Sequence, residues 1–295
     1  MSGDMDRHLR QLQLQTRWPV EHLLAGEYRS VFKGRGMDFD EIRPYEPGDD
    51  IRTIDWNVTA RTGHPHIKRY TEERELAVWF LVDTSASCRT GHGARTKWDA
   101  IHEITALLTL SATRNNDRTG LILFSDRIEQ VIPPRKGQLH AMRLLNDLVK
   151  ASPQSRQTGL QPALDALAHL ARRRSLVFII SDFLFATDRE QLGQSGFKQD
   201  LIAVAVNDPQ EIAPPVCGLV AAADSETGET MLCDLNRSRQ NDYRRAFAAQ
   251  RDALKTELDA VGADLIELSS QENCAEVLTL FFRNRLRRTA DETGG

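Results

Sequence analysis

The amino-acid sequence predicts an α/β protein built on a mostly parallel, doubly wound sheet. From about Leu76 onward, short apolar runs alternate with segments of helical period, the order that lays helices over both faces of a parallel sheet. The chain has 295 residues, 40% hydrophobic and 27% charged, which suits a soluble protein with a sizeable core. No repeat of roughly 20–50 residues is visible, which removes solenoids and propellers.

Residues 1–75 read differently from the rest. Gly26, Gly34, Gly36, Gly48 and Gly63, with Pro44, Pro47 and Pro65, break this stretch into pieces too short for long helices. It is expected to form a turn-rich, hairpin-rich β segment packed beside a domain spanning residues 76–295. In that domain the expected strands are Ala77 to Val82, Gly120 to Phe124, Leu176 to Ile180, Leu201 to Val206 and Leu265 to Leu268. Helical stripes fall between them. Ile101, Ile104, Leu107 and Leu108 form the first, and Leu139, Met142, Leu145, Leu148 and Val149 the second. Leu160, Ala163, Leu164, Leu167 and Leu170 form the third. Phe247, Leu254, Leu258 and Val261 stripe a later helix, and Val277, Leu278, Phe281 and Phe282 the last. The basic tail Arg283, Arg285, Arg287 and Arg288 is expected to complement the dipole at that helix's C-terminus.

The formal net charge of −4 argues against the broad basic surface of a non-specific nucleic-acid binder. Met1 to Arg10 lack the apolar stretch of a secretory signal, and no window resembles a membrane-spanning helix. A cytoplasmic protein is the expectation. Cys88, Cys217, Cys233 and Cys274 lie far apart with no CxxC pair, so neither zinc nor a disulfide framework is indicated.

The chemistry concentrates at strand ends. Ala77 to Val82 runs into Asp83-Thr84-Ser85-Ala86-Ser87, and Leu176 to Ile180 into Ser181-Asp182, while Thr158 precedes the helix between them. The carboxyl edge of a parallel sheet is where such folds bind ligands. Mg²⁺ takes oxygen ligands in near-octahedral geometry and keeps several waters. Ser85 and Ser87, two apart in a tight turn, can aim hydroxyls at one ion, with Thr158 as a third hydroxyl. Asp83 and Asp182 balance its charge through water. With neutral hydroxyls in most direct positions the ion stays electrophilic, and an incoming carboxylate completes its coordination.

This set, with Thr158-x-Leu160-x-x-Ala163-Leu164 and the strand-like Asp117 to Asp126, resembles the metal-ion-dependent adhesion site of von Willebrand factor A domains over roughly Glu75 to Leu268. Upstream, Gly34 to Trp56, Thr59-Ala60-Arg61 and Glu73-Arg74-Glu75 are similar to the hallmark of the domain-of-unknown-function fifty-eight family. That resemblance implies a Mg²⁺ site, with Mn²⁺ or Ca²⁺ as substitutes, and a protein partner offering an acidic residue. It also implies an association with a MoxR-type AAA+ ATPase and with membrane-bound von Willebrand factor A proteins. Many members carry transmembrane helices near the N-terminus, which this sequence lacks. Cys88 stands where a methionine often follows the last loop serine, a difference of packing. Arg43, Arg52, Arg61, Asp49, Asp50 and Asp55 crowd the hallmark segment and are expected to pair as a clasp against the metal domain, the alternative being a docking face, with Trp56 as an anchor of that packing.

Catalysis is not expected. There is no G-x-x-x-x-G-K-[ST] phosphate loop, no G-x-S-x-G elbow and no evident general base. The rival is a metal-dependent phosphohydrolase using the same site, but hydrolytic metals usually rest directly on carboxylates or histidines. His64-Pro65-His66 reads as an exposed loop rather than a transition-metal site.

Overall fold

The computed structural model describes residues 12, 16, 19–20, 24–33, 41–45, 54, 56–69, 76–185, 187, 189–196 and 199–293. A six-stranded sheet forms its centre. β3 (Ala77–Asp83), β4 (Arg118–Phe124), β6 (Leu176–Ser181), β7 (Asp200–Asn207) and β10 (Asp264–Ser269) run parallel, and β5 (Ile128–Arg135) returns antiparallel along β4. Across the sheet the order is β10-β7-β6-β3-β4-β5. The sequence-first strand of the sheet, β3, therefore leads to β4 on one side and borders β6 on the other. Chain order reverses between β3 and β6, which makes their carboxyl ends the topological switch point.

All five strands expected from apolar runs are present. β5 was not expected, because Pro133 and Pro134 interrupt its pattern; an edge strand tolerates prolines since one side needs no ladder partner. β8 (Gly218–Ala223) and β9 (Thr230–Leu235) form a separate antiparallel hairpin, largely exposed and likewise absent from the sequence reading.

Alternation along β3 builds two cores. Val78, Phe80 and Val82 face one hydrophobic cluster, with α3 (Lys97–Arg114), α4 (Gln138–Val149) and α9 (Cys274–Thr293) supplying Ile101, Leu145 and Phe282. Trp79 and Leu81 face the other, covered by α5 (Gln161–Leu170), α6 (Arg189–Gly196) and α8 (Arg237–Ala260) through Leu164, Leu192 and Leu254. The helical stripes hold with two corrections, since Leu170 at the end of α5 is exposed and the face of α4 is shifted. Leu139 is 89% exposed, and Ala141, Leu144, Leu145 and Leu148 make the buried face of α4.

The N-terminal segment differs from a purely hairpin-rich strip. α1 (Ala25–Lys33) buries Tyr28, Val31 and Phe32 in the same cluster as Phe178 and Phe282. Phe32 meets those two rings edge-on at centroid separations of 6.3 and 5.6 Å. Leu24, Tyr28, Val31 and Phe32 are spaced along one helical face. β1 (Glu41–Pro44) pairs antiparallel with β2 (His66–Arg69). Between them α2 (Trp56–Thr62) is helical, not extended, and Trp56 is exposed, so it does not anchor the packing. Asp49, Asp50, Arg52 and Asp55 of the expected clasp lie outside the described residues, as does the side chain of Arg43, and Arg61 is exposed.

The basic tail is engaged by side chains rather than by the helix dipole alone, since α9 continues beyond it. Arg285 bridges Asp200 at 2.6 Å and Asp264 at 3.1 Å, Arg288 reaches Asp264 at 2.7 Å, and Arg283 reaches Glu27 at 2.9 Å. These contacts tie α9 to the amino ends of β7 and β10 and to α1.

Candidate metal centre

β3 and β6 end side by side, and their last residues point chemistry into one small volume. Asp83 is fully buried; its Oδ1 accepts from the Ser85 backbone N–H at 2.8 Å and its Oδ2 from the Ser181 hydroxyl at 2.7 Å. The first bond turns the chain after β3 and brings Ser85 and Ser87 together, with their Oγ atoms 3.0 Å apart. Oxygens in neighbouring positions of an octahedron about 2.1 Å from an ion are themselves about 3.0 Å apart. The serine pair therefore fits one edge of such a shell.

After β6 the chain bends sharply at Phe183, whose φ of +51° is unusual for a bulky residue. The Ser181 hydroxyl accepts from the Phe183 backbone N–H at 3.1 Å and so supports this bend. Asp182 is thereby held against the site, its Oδ1 accepting from the Leu184 N–H at 3.2 Å and its Oδ2 from the Lys97 ammonium at 2.8 Å. Strain of this kind is retained where surrounding contacts fix it, commonly at functional positions.

Lys97 went unnoticed in the sequence. It is fully buried at the start of α3, shared between Asp182 and Glu211 of the short helix α7 (Pro209–Ile212). Burial alone lowers a lysine's pKa, yet these two carboxylates hold it above the ordinary value. One signal for it existed: a lysine in the first turn of a helix opposes the dipole and needs a reason. Thr96 and Asp99 close a reciprocal capping box that fixes this turn. Gly91 lets the preceding loop fold onto it, since a Cβ there would meet the Thr96 Cα at 2.7 Å.

Among the described residues the donors to Asp83, the Ser85 N–H and the Ser181 hydroxyl, are neutral. Burial and the nearby Asp182 carboxylate push its pKa up to about 6, outweighing the hydrogen bonds from Ser181 and Ser85. A divalent cation beside the serine pair would relieve this excess negative charge, so the donor set fits a hard, oxygen-ligated ion. Cys88, read from sequence as a packing position, is also close: ligand atoms of Asp83, Cys88 and Asp182 lie within 4.8 Å of one another. Burial, then Asp182 and Asp83, raise its pKa well above the ordinary thiol value. A neutral thiol is a poor ligand for Mg²⁺.

Thr158 sits in the neighbouring loop, which is joined to the serine turn by the Ala86 N–H donating to the Arg156 carbonyl at 3.0 Å. Its hydroxyl donates to Glu226 Oε1 at 2.6 Å. Asp83, Ser85, Ser87 and Asp182 are thus assembled directly, while Thr158 borders them and meets a carboxylate from the β8–β9 hairpin.

The raised Asp83 pKa has a definite sign. Without metal, the folded state binds this proton more tightly than the unfolded state. The resulting penalty is absent below the ordinary value of 3.8, grows as pH rises, and is complete above about 6. It amounts to something on the order of 3 kcal/mol. In EDTA, wild-type stability relative to Asp83→Asn should therefore fall by that amount between about pH 4 and pH 7, as read by urea unfolding. A pH-independent difference would refute the assignment.

Comparison with known proteins identifies the family. Residues 41–254 match the family described as "Protein of unknown function DUF58". An uncharacterized protein of Mycobacterium tuberculosis H37Rv, Rv1480, is 30% identical over 295 residues, covering 97% of this chain and 93% of its own. A second, the uncharacterized protein MAV169 of Mycobacterium avium, is 28% identical over 159 residues, covering 53% of this chain and 94% of its own. Among solved structures, the conserved hypothetical protein BatB of Bacteroides thetaiotaomicron is similar with 12% identity and a TM-score of 0.47, covering 72% of this chain and 99% of its own. The SpRpn10 VWA domain is similar with 13% identity and a TM-score of 0.46, covering 69% and 93%.

Proposed function

The chain belongs to the DUF58 family, and from that premise we propose that it is a non-catalytic, metal-dependent protein-interaction module. Ser85, Ser87 and Thr158 would hold Mg²⁺, or Mn²⁺ or Ca²⁺ in its place, with Asp83 and Asp182 behind them. When bound, the ion supplies an electrophilic position for a carboxylate oxygen of a partner protein. The observation that carries this reading is the serine pair, with its hydroxyls 3.0 Å apart in front of two buried carboxylates at the sheet's switch point.

The residues' existing bonds favour binding over turnover. Both Asp83 oxygens accept hydrogen bonds from the serine turn and Ser181, and both Asp182 oxygens accept from Lys97 and the Leu184 N–H. A carboxylate so engaged is poorly placed to take a proton from water, which weighs against the phosphohydrolase alternative. The partner we propose is a MoxR-type AAA+ ATPase in the cytoplasm, working with membrane-bound von Willebrand factor A proteins; ATP hydrolysis would then be the partner's. Among the described residues no helix is long and apolar enough to cross a membrane.

The test is capture of a purified MoxR-type ATPase by immobilised chain in Mg²⁺ and in EDTA, with Ser85→Ala and Asp83→Ala variants. Capture should drop at least ten-fold on chelation and in both variants, the range seen when a metal's ligands or their supports are removed. Capture that survives EDTA and both substitutions would sink the metal-dependent mechanism.

A further inference from the structure

Among the described residues, a carboxylate from the chain itself already meets the Thr158 hydroxyl. Glu226 lies at the tip of the β8–β9 hairpin, 68 residues from Thr158 in sequence, and accepts the Thr158 hydroxyl at 2.6 Å. That length belongs to a charge-assisted O–H···O⁻ bond. The tip is held by a second contact, the Arg156 guanidinium donating twice to the Ser225 carbonyl at 2.7 and 3.1 Å. Arg156 is also the residue whose carbonyl accepts from Ala86, between the two site serines. Hairpin tip, Thr158 loop and serine turn are therefore joined by a short series of hydrogen bonds.

The tip is built to present Glu226. Asp224 Oδ1 accepts from the backbone N–H groups of Glu226 and Thr227 at 2.7 and 2.9 Å, and these bonds hold its carboxyl below the usual range. Gly228, at φ +77°, completes the turn in the left-handed region. The strands behind it are mostly exposed on both faces. A hairpin with so little buried area opens at small cost. Beneath it runs a groove of ≈ 450 Å³ bordered by Ala86, Arg89, Arg156 and Ser225, which gives an acidic side chain a basic approach to the serine turn.

We propose that Glu226 is the site's own carboxylate: the hairpin offers it in cis to the ion held by Ser85, Ser87 and Thr158, and a partner's acidic side chain binds by displacing it. This rests on the metal-dependent reading above. It gives the hairpin a role as a latch, closed when Glu226 is engaged and swung clear when a partner occupies the groove.

The experiment uses the full chain and Mn²⁺ as the probe, with binding read by electron paramagnetic resonance. Glu226→Gln keeps an acceptor for Thr158 and removes only the charge, so the hairpin stays folded. Wild type should bind Mn²⁺, Ser85→Ala should not, and Glu226→Gln should bind about ten-fold more weakly. Hydrogen exchange at residues 224–229 should slow on adding Mg²⁺ to wild type and stay unchanged in Glu226→Gln. If Ser85→Ala abolishes binding while Glu226→Gln matches wild type, the latch is wrong and the metal site stands. If wild type binds no Mn²⁺, both fall.

Discussion

Lys97→Met should lower the stability of the metal-free protein by about 3–5 kcal/mol, the usual result of removing one partner from a buried ion pair. The ammonium is fully buried and bonds Asp182 at 2.8 Å as well as Glu211. Without it the Asp182 carboxylate keeps its desolvation cost and loses its compensating charge, beside an Asp83 already pushed up to about 6. Methionine fills most of the volume, so the loss reports charge rather than a cavity. Urea unfolding of both proteins in EDTA at about pH 7 is the measurement, and a loss under about 1 kcal/mol would show that the cluster is balanced by other groups.

Phe32→Ala should cost a comparable amount, about 3–5 kcal/mol. Its ring packs edge-on against Phe178 of β6 and Phe282 of α9, with the Arg285 guanidinium 5.1 Å above it. Truncation removes a contact that joins the N-terminal segment to the central sheet. Leu139→Ala is the contrast: 89% exposed, it should change stability by less than about 0.5 kcal/mol. Both are read by the same unfolding curves. Were α1 only an appendage, Phe32→Ala would leave the main transition in place.

The sheet and half the site were legible because their signals are local. Four of the parallel strands announce themselves by an unbroken apolar run and β10 by alternation around Glu267, and Asp83 with Ser85 and Ser87 sits within five residues of one turn. The carboxyl-edge rule then puts Asp182 nearby without any knowledge of contacts. The N-terminal helix was readable in principle from Leu24, Tyr28, Val31 and Phe32 at helical spacing, but the glycines and prolines around it dominated the pattern. β5 was hidden by its prolines, and the β8–β9 hairpin by exposure, since a strand pair with neither face buried has no obligatory apolar alternation.

By itself the sequence determined the α/β class, the five parallel strands and the turn that brings Ser85 and Ser87 together after Asp83, because these follow from period, turn chemistry and functional groups close along the chain. Tertiary structure alone decided that Lys97 neutralises Asp182 across 85 residues, that the Ser181 hydroxyl meets Asp83 across 98, and that Glu226 reaches Thr158 across 68. Those pairings depend on which strands become neighbours and on where an exposed hairpin folds back. The physical reason is that a buried charge needs a partner within bonding distance, and a linear pattern carries no record of which distant residue supplies it.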